Sequence, residues 1–133
     1  RVDMSEETRQ KMQIFNITPM GKPRQTRADR WKKRDVVLRY RAFCDEVRLK
    51  KVTMPEAGSH ITFILPMPAS WSQKKRAAMN GQAHQQKPDA DNMIKALMDA
   101  LFADDAHIWD FRVTKLWGET GQILISYIGV VAA

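Results

Sequence analysis

The residues with the clearest capacity for chemistry are the carboxylates Asp89, Asp91, Asp104 and Asp105, with Lys95 between them. They belong to the run Lys87-Pro88-Asp89-Ala90-Asp91-Asn92-Met93-Ile94-Lys95-Ala96-Leu97-Met98-Asp99-Ala100-Leu101 and to the Asp104-Asp105 pair just behind it. Mg²⁺ takes about six oxygen ligands and keeps several of them as water, so a few carboxylates plus a substrate phosphate hold it. Asp89-x-Asp91 at a loop-to-helix junction can set two carboxylates close together, and Asp104 or Asp105 could approach from the side. Left without a cation, such a cluster repels itself. Lys95, one turn after Asp91, suits the negative charge that develops on a phosphate under attack. Each of these residues also has an architectural use. Asp89 after Pro88 fits a helix N-cap, and Asp91 in the first turn suits the helix dipole. Asp91 and Lys95 have the spacing of an i, i+4 ion pair, and Asp104-Asp105 suits an ordinary turn.

The element that positions these groups is a helix. At about 100° per residue, Met93, Ile94, Leu97, Met98 and Leu101 fall on one side, and Asp91, Asn92, Lys95 and Asp99 on the other. Around it the sequence predicts a first strand over Met12–Thr18, stopped by Pro19 and Gly21. A helix from Trp31 to about Lys50, with Asp29 near its start, has an apolar stripe of Val36, Tyr40, Phe43 and Val47 and a solvated face that includes Arg48. A second strand over His60–Leu65 would lie beside the first, parallel or nearly so, as in a crossover unit. A short helix begins near Ser70 and closes at Gly81. Residues 81–87 read as a mobile loop with His84 as an exposed bystander, and His60 reads as structural. A strand over His107–Thr114 and a hairpin-like turn at Gly118–Gly121 lead into a last strand over Gln122–Ile128. The expected fold is mixed α/β: one small sheet of about four strands, packed by two or three helices. One domain over 1–133 is expected, with residues 1–11 an extension given no function.

Charge is unevenly distributed. From Asp89 onward seven acidic residues face three basic ones, Lys95, Arg112 and Lys115, whereas the first 88 residues hold 19 basic and 8 acidic groups. The net charge of +7 and a pI near 9.8 point to a polyanion as partner. Lys22, Arg24 and Arg27 in a Pro/Gly-rich loop, the Lys74-Lys75-Arg76 triplet and Lys87 are the candidates for phosphate contact. The lone Cys44 excludes an internal disulfide and a cysteine-based zinc site and reads as a small buried side chain. No apolar run approaches the ~20 residues of a membrane span, and no secretory h-region is visible. A reducing cytoplasm is the expected setting.

The run from Lys87 to Leu101, followed by Asp104-Asp105 and a strand, resembles the signature of the RusA family of Holliday-junction resolvases, which are common in phages and prophages. The likeness is strongest over 70–115. It implies an α/β fold, a homodimer, dependence on Mg²⁺ or Mn²⁺, and symmetric paired nicks in a four-way DNA junction within a bacterial host, in recombination and repair. By resemblance Asp89, Asp91 and Asp105 are the metal-binding aspartates, Asp104 is the first member of the acidic pair, and Lys95 is the catalytic lysine. One departure stands out. Only Phe102-Ala103 separates Leu101 from Asp104, where many members have a longer turn, so the third carboxylate must arrive by a tighter path.

Two other classes compete with this reading. A restriction-type nuclease needs Asp/Glu-x-Lys on a strand after Pro88-Asp89, and none follows within the next thirty residues. A non-catalytic basic DNA-binding protein would bind junction or duplex and cleave neither at any metal concentration.

Overall fold

The computed structural model describes residues 8–24 and 35–130. Arg27, Asp29 and the predicted helix start at Trp31 lie outside the described residues.

Four strands form one mixed sheet: β1 (Thr8–Phe15), β2 (Ser59–Pro66), β3 (Phe111–Gly118) and β4 (Gln122–Val130), in the order β1-β4-β2-β3. Three helices accompany it: α1 (Asp35–Leu49), α2 (Gln73–Met79) and α3 (Ala90–Leu101). This is the expected mixed α/β architecture, and the core explains it. Alternate residues Ile61, Phe63 and Leu65 of β2 and Ile123 and Ile125 of β4 are buried on one face. Against them pack Phe43, Cys44 and Val47 of α1 and Met93, Ile94, Ala96, Leu97 and Ala100 of α3. On α3 the predicted face is buried at Met93, Ile94 and Leu97, while Met98 and Leu101 are only half-buried and Ala96 and Ala100 take the deeper positions. On α1 the stripe begins at Val37 rather than Val36, and Cys44 is buried as expected. No helix among the described residues is long and apolar enough to cross a membrane.

The topology departs from the sequence reading in three places. β1 does not neighbour β2: β4 inserts between them and pairs antiparallel with both. β1 also begins at Thr8, so it takes in part of the supposed 1–11 extension, and it ends before Ile17, which is buried outside the strand. β3 starts at Phe111, not His107, because the alternating residues before it are bound elsewhere: Trp109 N–H donates to Glu56 O at 3.0 Å and Gly58 N–H to Asp110 O at 3.1 Å. Gly118–Gly121 is not a hairpin. β3 pairs parallel with β2, and the chain passes the end of β2 to place β4 on its far side. Close approach explains the glycines there, since a Cβ on Gly118 would collide with Ile64 and one on Gly121 would lie 2.6 Å from the Thr18 Cα.

Candidate functional site

Helix α3 presents its N-terminus beside the edge strand β3, and the segment leading into it is bound tightly to that edge. Gly81 N–H donates to Trp117 O, Trp117 N–H to Gln82 O, and His84 N–H to Lys115 O, at 2.9, 2.9 and 3.0 Å. The Lys115 ammonium then donates to the carbonyls of Gln86 and Pro88, both at 2.6 Å. Residues 81–88 are therefore a strap pinned along β3, not the loose loop predicted from their polarity. His84 is buried, contrary to the bystander reading: its ring centroid lies 4.2 Å from that of Trp117, and its Nδ1 has no hydrogen-bond partner. Burial, and then the nearby Lys115 charge, pushes its pKa below the usual histidine value. The aromatic packing continues to Trp71, 4.8 Å from Trp117.

At the end of the strap stands Asp89. It occupies the N-cap position of α3 in extended backbone, yet its side chain makes no capping hydrogen bond. Its carbonyl starts the helix by accepting from Met93 N–H at 3.0 Å. Asp91 and Lys95 are both exposed, and the i, i+4 ion pair their spacing allows is not formed. The capping hydrogen bond open to Asp89 and the ion pair open to Asp91 are thus not formed, and Asp91 keeps only the favourable first-turn position at the helix dipole. Two carboxylates stand in solvent at a helix N-terminus without a partner among the described residues.

The other polar residues of α3 are engaged. Asn92 Nδ2 donates to Lys22 O at 3.1 Å, and Asp99 pairs with the Lys22 ammonium at 2.5 Å. Tyr40 Oη also donates to Asp99 at 3.4 Å, and burial foremost raises the phenol pKa, with Cys44 and Asp99 adding to it. Gly21 fits because a Cβ there would lie 2.5 Å from Asn92 Nδ2 and 3.0 Å from Pro88 Cβ. Arg48, expected on a solvated face, donates through Nε to Ala100 O at 2.9 Å and satisfies a carbonyl in the last turn of α3.

The acidic pair divides in a similar way. Asp104 Oδ1 accepts from Ala106 N–H at 3.0 Å, closing its own turn, while the half-buried Asp105 has no side-chain partner among the described residues. The two residues lie in a loop well before β3, not at its start. Among the described residues no three Asp, Glu, His or Cys side chains form a group that could hold a metal ion. Asp89, Asp91 and Asp105 are therefore not assembled as a trio, in keeping with the short Phe102-Ala103 connection and the turn that fixes Asp104. Asp89 and Asp91 alone still match the donor chemistry of Mg²⁺, which binds through one or two carboxylates plus waters and substrate phosphate.

The basic candidates also separate by duty. Lys22 is committed to Asp99. Arg76 donates to Pro68 O at 2.9 Å and pairs with Glu119 at 3.0 Å, so it fastens α2 to the β3–β4 connection. Lys74, Lys75, Lys87 and Arg24 are exposed, and the Lys75 ammonium lies 4.4 Å from the Trp71 ring centroid. His60 is structural, with Nε2 2.7 Å from Thr114 Oγ1. Sequence reasoning missed Lys115, because its partners are backbone carbonyls and no side-chain motif reports them.

No individually curated protein matches the chain. The family model described as Endodeoxyribonuclease RusA matches residues 15–127, which take in every element from the end of β1 to β4 and all the carboxylates above. The chain belongs to the RusA family of endodeoxyribonucleases.

Proposed function

We propose that the protein is a Mg²⁺-dependent, structure-selective endonuclease that resolves four-way DNA junctions by paired symmetric nicks. One observation carries the reading: Asp89 and Asp91 stand exposed at the start of α3 with no partner among the described residues, whereas Asn92 and Asp99 of the same helix are tied down. A carboxylate pair kept out of every available structural bond fits a pair reserved for a ligand. Asp89 and Asp91 are the residues that would hold Mg²⁺, with Mn²⁺ as a substitute. Asp105, rather than the turn-closing Asp104, is the further carboxylate free to contribute. The cation would supply an activated water and charge neutralisation at the phosphate. Lys95 follows Asp91 by one helical turn, about 6 Å along the axis, and presents an ammonium to the negative charge that builds on the phosphoryl oxygens.

DNA arms are held by phosphate contacts from Lys74, Lys75, Lys87 and Arg24, with Arg27 close by in the sequence, so binding weakens steeply as salt rises. A homodimer supplies the second site, because one chain carries one pocket and a two-fold junction needs two matched cuts. The test is cleavage of a synthetic four-way junction beside linear duplex, in Mg²⁺ and in EDTA, with wild type and Asp91→Asn. Paired nicks in the junction alone, lost in EDTA and in the variant, are expected. Cleavage in EDTA, or full activity in Asp91→Asn, overturns the proposal.

A further inference from the structure

We infer that Lys115 is a positioning residue for the nuclease site: its ammonium sets the backbone on which Asp89 stands. The inference rests on the reading of Asp89 as part of that site. Lys115 lies in the middle of β3, where parallel pairing opposite Phe63 of the interior strand β2 fixes its backbone in the sheet. From there its ammonium donates to Gln86 O and Pro88 O, each at 2.6 Å. Both are short, charge-assisted bonds, about twice as strong as neutral ones. Pro88 O is the carbonyl of the peptide that joins directly to Asp89. Holding it fixes one side of the Asp89 Cα, and the first turn of α3 fixes the other through Asp89 O and Met93 N–H.

A simpler use of Lys115, as a counter-charge to the carboxylates, does not match the contacts. It makes no ion pair among the described residues, and the donors named are spent on carbonyls. The strap itself needs no such clamp further upstream, where Gly81, Gln82 and His84 are already bonded to β3 through their backbones. Those backbone bonds stop at His84. Lys115 extends the attachment over the last four residues, to the point where the carboxylate begins.

A misplacement of about 1 Å at a reacting centre can cost on the order of 100-fold in rate, so loss of the clamp should show in turnover rather than in substrate binding. Lys115→Met is expected to lower kcat on a four-way junction by roughly 10- to 100-fold with KM for DNA within about twofold, and to raise the Mn²⁺ concentration needed for half-maximal rate. Amide exchange at His84 and Met93, the bonded amides on either side of the clamp, should speed up while β2 and β4 keep their protection. Lys115→Arg, which keeps a cation with several N–H donors for the two carbonyls, should recover most of the rate. Adding Lys115→Met to Asp89→Asn should cost little beyond Asp89→Asn alone, because the two act through one atom set. A folded Lys115→Met with wild-type rate and metal requirement overturns the inference. So does additive loss in the double variant, or a folded Lys115→Arg no faster than Lys115→Met, since either separates the ammonium from the placement of Asp89. If Lys115→Met does not fold, Lys115→Gln, which keeps an uncharged amide N–H donor group, carries the same comparison. Full activity in Asp89→Asn would instead remove the site reading and leave the clamp visible only in amide exchange.

Discussion

The polar side of α3 has two edges, and they are treated in opposite ways. Asn92 and Asp99, at about 100° and 80° from Asp91 on the helical wheel, are bonded to the two ends of Lys22, its carbonyl and its ammonium. Asp91 and Lys95, at the origin and about 40° further on, touch no partner among the described residues. Both edges carry a carboxylate and a group able to bond, so composition does not separate them. What separates them is what the neighbouring chain offers. The loop from Ile17 to Arg24 lies against one edge and leaves the other to solvent. A helix clamped along one edge, at its last turn by Arg48 and on the strap before its N-terminus by Lys115, needs no contribution from its second edge.

The sharpest way to break this contrast is to neutralise each edge in turn. Asp89→Asn or Asp91→Asn should lower junction cleavage by more than about 100-fold while shifting unfolding free energy by no more than ~0.5 kcal/mol, measured by gel assay and urea melt. A large loss of stability in either variant would mean that the open edge is structural after all. The acidic pair offers the next test. Asp105→Asn should slow cleavage at least ~10-fold more than Asp104→Asn, since an asparagine at 104 still closes its turn by accepting from Ala106 N–H. Equal effects would remove the distinction between them. Asp99→Asn should do the reverse of Asp91→Asn: destabilise by about 1 kcal/mol through the half-buried Lys22 pair, and change turnover little. The smallest effect concerns His84. Its pKa is lower in the folded protein than in the unfolded chain, so between those values the unfolded chain binds more protons. Stability is therefore complete above about pH 6.5 and declines as pH falls toward the folded value. His84→Phe, which cannot titrate, should flatten the melting temperature between pH 7 and pH 5.

Much of this was legible in the sequence because it is local. The α3 phase is set by side chains one turn apart, and the burial of Met93, Ile94 and Leu97 follows from it. The family pattern rests on the same short stretch. What the sequence hid depends on partners far along the chain. Residues 107–110 alternate like a strand, yet Glu56 and Gly58 take their backbone groups. The 81–87 segment looks like a loose loop because its attachments are to the β3 backbone and to the face of Trp117. Basic residues that read alike, Lys74 and Arg76, differ only because Pro68 O and Glu119 lie within reach of one of them.

The sheet order has a kinetic consequence. β1 finds its partner in β4, with Ile14 opposite Leu124 and Phe15 opposite Ile123, so strands from opposite ends of the sequence must meet before the sheet is complete. β2 and β3 can pair earlier, with α3 folding locally between them. Until β4 is made, β1 has no partner strand, although it precedes every other strand and helix among the described residues. Such long-range closure is slow compared with helix formation, and it makes docking of β1 a late event in assembly.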